Sequence, residues 1–284
     1  MKIGSNITIV IISYNSEKKV FQLLKKIKKD FKCLIVDNSN SKHFKKKIEK
    51  SYNQIKVLLQ KNIWYGAAIN FAKKFIKTKY FLVLNPDIEN LNKNKILKFI
   101  KYAKKLNDNF SCIGPRYINI SPKTLIQSKI EYKIAKIKSI SGAVMFFNID
   151  RFSEIKGFDE SFFLYFEETD YCFRGNRIGL NCFQINTIKI KHNVGTSIEF
   201  KDQIFKKKIK DLQSWHFIWS KFYFYKKRYG ITLSTIYFTP LLIRILAKML
   251  IFTLFNNKDK LHKYTNRLDG LMASFKGNPS YKRI

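Results

Sequence analysis

Four apolar runs fall in the first third of the chain, and each stops abruptly on polar residues. Ile7-Thr8-Ile9-Val10-Ile11-Ile12 gives way to Ser13-Tyr14-Asn15, and Cys33-Leu34-Ile35-Val36 to Asp37-Asn38-Ser39. Ile55-Lys56-Val57-Leu58-Leu59 is followed by Asn62 and Gly66, and Tyr80-Phe81-Leu82-Val83-Leu84 by Asn85-Pro86-Asp87. Runs apolar on both faces suit strands of a parallel sheet covered by helices. Ser16 offers an N-cap to an amphipathic helix reaching about Lys29, a second helix runs from Gly66 through Phe75, and a third from Lys93 to Lys104. Strands alternating with helices predict an α/β fold of βαβ units with right-handed crossovers. The polar ends of all four strands then share one carboxyl edge, where open α/β sheets bind ligands.

Further on the order loosens. A strand at about Ser111 to Gly114, a basic loop and a strand over Gly142 to Phe147 precede Gly157-Phe158-Asp159-Glu160 and an aromatic run. Glu167-Glu168-Thr169-Asp170 opens another helix, where the helix dipole favours acids. From about Phe200 the composition shifts to Lys, aromatic and aliphatic residues. The chain therefore divides into an α/β domain over residues 1–205 and a basic, hydrophobic helical region over 206–284.

The 55 Lys+Arg against 20 Asp+Glu give a formal net charge of +35. Such a field attracts nucleic acid, an anionic membrane leaflet or a phosphorylated substrate, although a general bias toward lysine also accounts for much of it. A hydrophobic content of 45% excludes wholesale disorder. Cys33, Cys112, Cys172 and Cys182 are scattered without a Cys-x-x-Cys pair, which indicates neither a zinc cage nor a disulfide framework and points to a reducing cytoplasm. Ile7 to Ile12 is too short and too weakly flanked by basic residues for a secretion signal, so export is not expected.

Strand-ending aspartates such as Asp37 and Asp87 often make Asx turns or cap the next helix. As a pair they suggest one carboxylate reading a nucleobase edge and the other holding a divalent metal on a diphosphate. Mg²⁺ or Mn²⁺ takes one or two carboxylates and completes its shell with phosphate oxygens, and lysines can neutralise the same phosphate without metal. Carboxylates crowded at a helix start can gain proton affinity and serve as a base. Asp170 and Arg174, four apart, predict a helix-surface ion pair. The roles of Arg116 and Arg151 stay open, since arginine suits phosphate but is usually solvated.

In order, "IVIISYNS", "LIVDNSNS", "NIWYGAAIN", "LVLNPDIE", "SGAVMFF", "GFDESFFLYFEETDYCFR" and "HNVGTS" cover roughly residues 6–200. This series resembles the family-2 inverting glycosyltransferases of the GT-A fold, especially the rhamnosyltransferase-like branch that builds bacterial surface polysaccharides, and "RLDGLMASFKGNPSYKRI" resembles the end of that branch. The resemblance implies a mixed, mainly parallel Rossmann-like sheet flanked by helices. It implies that Ser13, Tyr14 and Asn15 line the nucleotide pocket, that Asp37 faces the base, and that Asn62, Gly66 and Asn70 help hold the nucleotide sugar. Asn85-Pro86-Asp87 takes the place of the family's Asp-x-Asp element, with Asn85 where the first aspartate stands. Asp87 then becomes the chief metal carboxylate for Mg²⁺ or Mn²⁺, with His192 near the metal and diphosphate. Gly142 and Asp170 lie on the acceptor side. The Glu167-Glu168 pair stands where relatives carry Glu-Asp, which makes Glu168, and after it Glu167, the base that takes the acceptor's proton. The implied partners are a dTDP- or UDP-sugar and a lipid-linked saccharide acceptor.

Ile231 to Phe255 is long enough to cross a bilayer, which needs about 20 apolar residues. Arg244 and Lys248 near its middle, and Pro240, disfavour spanning. Their spacing fits a segment lying in the interface of an anionic membrane, which the resemblance implies is the cytoplasmic face of the inner membrane. The alternative cover is the catalytic domain or, in a homodimer, a second subunit. A nucleic-acid-binding protein would concentrate basic residues around exposed aromatics. Here many aromatics sit in apolar runs and acids gather at strand ends, so no nucleic-acid partner is expected. An inactive relative acting as a scaffold is the other alternative, which Asn85 allows.

Overall fold

The computed structural model describes residues 6–27, 31–121, 125, 127–200 and 202–283. In chain order the elements are β1 (Ile7–Ser13), α1 (Glu17–Ile27), β2 (Lys32–Asp37), α2 (Lys42–Ser51), β3 (Lys56–Leu59), α3 (Trp64–Lys73), β4 (Tyr80–Leu84), β5 (Ile88–Glu89) and α4 (Lys93–Lys105). There follow β6 (Ile113–Tyr117), β7 (Ile134–Ile137), β8 (Val144–Asn148), α5 (Ile149–Glu154), α6 (Glu167–Arg177), β9 (Cys182–His192), α7 (Gln203–Leu254) and α8 (Lys258–Phe275). Lys29, the expected end of the first helix, lies outside the described residues.

The sheet runs β3-β2-β1-β4-β8-β6-β9-β5, with β7 paired to β9. The four expected strands are parallel neighbours, in a register that sets Ser13 beside Asp37 and Asp37 beside Leu59. Their polar ends share one edge. Alternate side chains of each strand feed opposite faces. Ile9, Ile11, Leu82 and Leu84 join one core layer with α1, α2 and α4, while Val10, Ile12, Phe81 and Val83 join a second with α3, α5 and α6. Both faces are thus covered, as the continuous apolar runs require.

Beyond β4 the sheet turns mixed. β8 runs antiparallel to β4, and the short β5 pairs antiparallel with the far end of β9, placing Ile88 opposite His192. β9 spans 11 residues, CFQINTIKIKH, and was not anticipated from the sequence. Its polar alternation reads like an edge strand, yet β6 and β7 flank it on either side. The scattered cysteines also converge: Cys112, Cys172 and Cys182 are buried side by side.

The described chain forms two compact units, one reaching Asp159 and resuming over Glu168–Glu199, the other of Glu160–Glu167 and Phe200–Ile284. In the second, α7 breaks at Gly230, whose φ of 77° and ψ of 172° lie in a region open essentially to glycine. There the chain reverses: Tyr225 stacks on Tyr237 at 4.7 Å and Phe222 packs edge-on to Phe238 at 5.1 Å. α8 then runs alongside the first leg, with Lys207 paired to Asp259 and Trp215 Nε1 donating to Asp269 at 2.9 Å. The leg after Gly230 turns Phe238 and Ile245 onto Ile218, Phe222 and Leu271. Its opposite face leaves Leu233, Ile236, Ile243, Leu250 and Leu254 60–75% exposed. Arg244, exposed, and Lys248 border that face one turn apart.

Candidate active site

β1 and β2 end side by side. Ser13 is buried at the edge and its carbonyl accepts from Asn38 N at 2.8 Å. Tyr14 sets its ring 5.7 Å from that of Trp64, and Asn15 takes a positive φ of 48° while its carbonyl accepts from Glu199 N. Asp37 is fully buried and held by its own turn. Ser39 Oγ donates to Oδ1 at 2.7 Å and Ser41 N to Oδ2 at 2.8 Å, and Ser41 in turn caps α2 through Phe44 N. Burial pushes its carboxyl pKa up, and the Ser41, Ser39 and Ser13 hydrogen bonds oppose that rise.

β4 ends differently. Asn85 N donates to Ala143 O at 2.9 Å, which anchors the turn to the neighbouring strand lead-in. Asp87, also buried, receives Ser197 Oγ on Oδ2 at 2.5 Å. Its Oδ1 lies 3.3 Å from His192 Nε2, a partner 105 residues away that only the β5–β9 pairing delivers. Asp87 Oδ1 and His192 Nδ1 are buried without a hydrogen-bond partner among the described residues, as is Asn62 Oδ1 nearby in the chain to α3. Buried polar atoms are normally satisfied, so unsatisfied ones mark places for a ligand or ion. A carboxylate oxygen and an imidazole facing each other fit a divalent cation, Mn²⁺ better than Mg²⁺ because imidazole is the softer ligand. A cleft of about 340 Å³ opens beside Asp87, with Lys19, Lys25 and Lys26 on its wall.

Asn70, expected to help hold the nucleotide sugar, is engaged with the backbone. Asn70 donates through Nδ2 to Phe158 O and accepts from Phe158 N through Oδ1, both at 2.9 Å, so its amide clamps α3 to the loop before the acidic helix. Gly157, with a φ of 61°, is needed there because a Cβ would sit 2.5 Å from Asn70 Oδ1. Gly66 is buried within α3. Gly142 meets Tyr65: a Cβ there would stand 3.2 Å from the ring, whose hydroxyl donates to Gly142 O.

The Asp170–Arg174 pair forms, with Nε donating to Oδ2 at 2.7 Å, but it is not a surface pair. Asp170 is buried, and Arg174 also donates to Ile155 O and to Gly157 O. The sequence placed it on the helix surface because spacing alone does not reveal which face α6 buries. Glu167 is buried at the helix start and Glu168 half-buried behind it. Desolvation, with a smaller push from Cys172, raises the Glu168 carboxyl to about 7. Arg116 is absorbed by Ser128 O and Arg151 by Glu154 and Asp108 O. Sequence reading missed Ser197 as a partner of Asp87, although it ends the quoted "HNVGTS".

A parallel half-sheet with a polar carboxyl edge, followed by an antiparallel strand pair that carries an acid and a histidine to that edge, is an architecture of the GT-A kind. Residues 8–178 match glycosyl transferase family 2, and the chain belongs to that family. It is 28% identical over 211 residues to the low-salt glycan biosynthesis hexosyltransferase Agl10 of Haloferax volcanii, spanning 66% of this chain and 67% of that one. It is 24% identical over 218 residues to the rhamnosyltransferase WbbL of Escherichia coli K12, spanning 65% and 82%. In fold it is similar to the mannosyltransferase PcManGT of Pyrobaculum calidifontis in complex with GDP-Man and Mn²⁺, with a TM-score of 0.58, 8% identity and coverage of 95% and 86%. Residues 1–349 of S. aureus TarS give a TM-score of 0.51 at 13% identity, covering 98% and 93%.

Proposed function

We propose that this chain is an inverting, divalent-metal-dependent glycosyltransferase that moves a hexosyl group, rhamnosyl first among them, from a nucleoside diphosphate to a lipid-linked saccharide. The observation that carries the reading is the pairing of buried Asp87 with half-buried His192, whose Nε2 stands 3.3 Å from an Asp87 Oδ1 that has no hydrogen-bond partner among the described residues. These two side chains would hold the ion, which when bound neutralises charge on the departing diphosphate. Ser197 fixes the Asp87 carboxylate, so one oxygen stays turned toward the imidazole. Asp37, steadied by Ser39 and Ser41, keeps lone pairs for a nucleobase donor. Tyr14 and Trp64 offer aromatic surface beside it.

Glu168 takes the acceptor proton. With a pKa near 7 it is ionised in a substantial fraction of molecules at neutral pH and is still basic enough to accept that proton. As the acceptor oxygen bonds to the anomeric carbon, the bond to the diphosphate breaks with its electron pair leaving on the phosphate oxygen. Glu167 is the second candidate for this role.

The exposed apolar face after Gly230 supports seating at a cytoplasmic membrane surface. It belongs to the one described helix long and apolar enough to cross a membrane, with a mean hydropathy of 1.7 in its best window. Thr235, Thr239 and Thr253 each donate to the carbonyl four residues back, which satisfies their hydroxyls without water. Arg244 and Lys248 at its border favour lying in the interface over spanning. The test is transfer from a panel of nucleotide sugars with Mn²⁺ or Mg²⁺ to a lipid-linked acceptor, with the anomeric configuration of the product determined. Retained configuration, or no turnover with any donor that protects the fold thermally, overturns the reading.

A further inference from the structure

Outside the sheet edge, the fold gathers three thiols that the sequence holds far apart. Cys112 leads into β6, Cys172 lies on α6 and Cys182 opens β9, and all are fully buried. Cys112 Sγ is 3.6 Å from Cys172 Sγ and 3.8 Å from Cys182 Sγ, and all three sulfurs lie within 4.8 Å of one another. Ser111, also buried, brings its Oγ to 3.0 Å from Cys182 Sγ. Its own backbone is fixed, since Tyr171 OH donates to Ser111 O at 3.1 Å.

We propose that Cys112, Cys172 and Cys182 form a structural site for one thiophilic metal ion of the Zn²⁺ class, with Ser111 Oγ as the fourth donor. Buried cysteines that act only as small hydrophobes need not turn their sulfurs toward each other. Here three sulfurs converge, and the Ser111 hydroxyl lies against one of them, 3.0 Å from Cys182 Sγ. A tetrahedral ion with bonds of about 2.3 Å to sulfur sets its ligand sulfurs about 3.8 Å apart, close to the separations found. From the same separations, a point equidistant from the three sulfurs lies about 2.0–2.4 Å from each, so no sulfur need move to accept the ion. A disulfide would need one pair to close to about 2.05 Å and would strand the third thiol. On binding, the three thiols release their protons to solvent as the ion sheds its water. Cys172 lies one turn after Glu168 on α6, so the ion would tie that helix to the leads of β6 and β9.

The experiment uses the full chain produced in zinc-supplemented medium, stripped of loose ions by chelator and weighed by native mass spectrometry. One zinc per chain is expected, retained in Cys33→Ala and Asp87→Asn and lost in Cys112→Ala, Cys172→Ala and Cys182→Ala. A zinc-free wild type, or zinc lost on Asp87→Asn but kept by the three cysteine variants, overturns the proposal. Should those variants fail to fold, the wild type grown with Co²⁺ decides the matter alone. Thiolate-to-cobalt charge-transfer absorption at one equivalent supports the site, and its absence refutes it.

Discussion

The ends of β2 and β4 begin as the same device, a buried apolar strand stopping on an aspartate, and come to opposite fates. Asp37 is closed by residues two and four positions on, Ser39 and Ser41, which occupy both carboxylate oxygens. Asp87 keeps an oxygen without a hydrogen bond, and its neighbours Ser197 and His192 come from more than a hundred residues away. A carboxylate satisfied locally stabilises a turn and has only its remaining lone pairs for a ligand, whereas Asp87, held by distant strands, keeps a whole oxygen without a hydrogen bond. This predicts that Asp37 matters more to folding and Asp87 more to turnover.

The largest effect calibrates that contrast from outside it. Glu168→Gln should lower transfer by about 10²–10⁴-fold, the range for a general base, while donor-dependent thermal protection persists. Steady-state rates and melting curves on one preparation check both halves. Asp87→Asn should cost about 10²–10³-fold in transfer, as removal of an electrostatic contact to a leaving group does, and should abolish protection by donor with Mn²⁺ at a nearly unchanged unliganded melting temperature. A large drop in that temperature would erase the distinction between the two strand ends.

Asp37→Ala is the reciprocal substitution. It removes the acceptor of the half-buried Ser41 N–H and Ser39 hydroxyl, so urea denaturation should register a loss of about 0.5–1.5 kcal/mol. Full stability with lost turnover would show Asp37 to be the mirror of Asp87 after all.

The pH dependence sharpens the same comparison. The Glu168 base must be ionised, so transfer should fall about tenfold per pH unit below about 7, a limb absent from Glu168→Gln. Its raised pKa also means that the folded state binds more protons than the unfolded one between the ordinary glutamate range and about 7. Stability from this group is therefore complete at acid pH and is lost as pH rises through about 7. A melting-temperature profile with the opposite slope, in which Glu168→Gln changes nothing, would count against the assignment. The smallest effect lies at the second unit: Ile243→Asn together with Leu250→Asn, which remove apolar surface without adding charge, should weaken retention on anionic liposomes several-fold and leave transfer to a soluble acceptor alone.

Legibility followed range. Most features governed by neighbours within a few residues were readable, namely β1 to β4, α1, α3, α4, the common polar edge and the acidic start of α6, while α2, capped by its own Ser41, went unread. The residues of the site were named, but their surroundings were not. Asn70 is spent on the Phe158 backbone, and the Asp170–Arg174 pair is buried instead of solvated. β9 went unread although its alternating Lys and Ile carry the period of a half-buried strand, and only its place between β6 and β7 was hidden, because other strands decide that.

The amino-acid order alone determined a two-faced parallel half-sheet with its reactive groups at one rim, because strand period, helix caps and turn residues act over a few positions. Only the tertiary structure decided that His192 meets Asp87, that three remote thiols converge and that the C-terminal helices fold back at Gly230 with one apolar side bare. Those outcomes depend on which elements pair across long stretches of chain, where loop closure and packing set the choice and local propensity has no say.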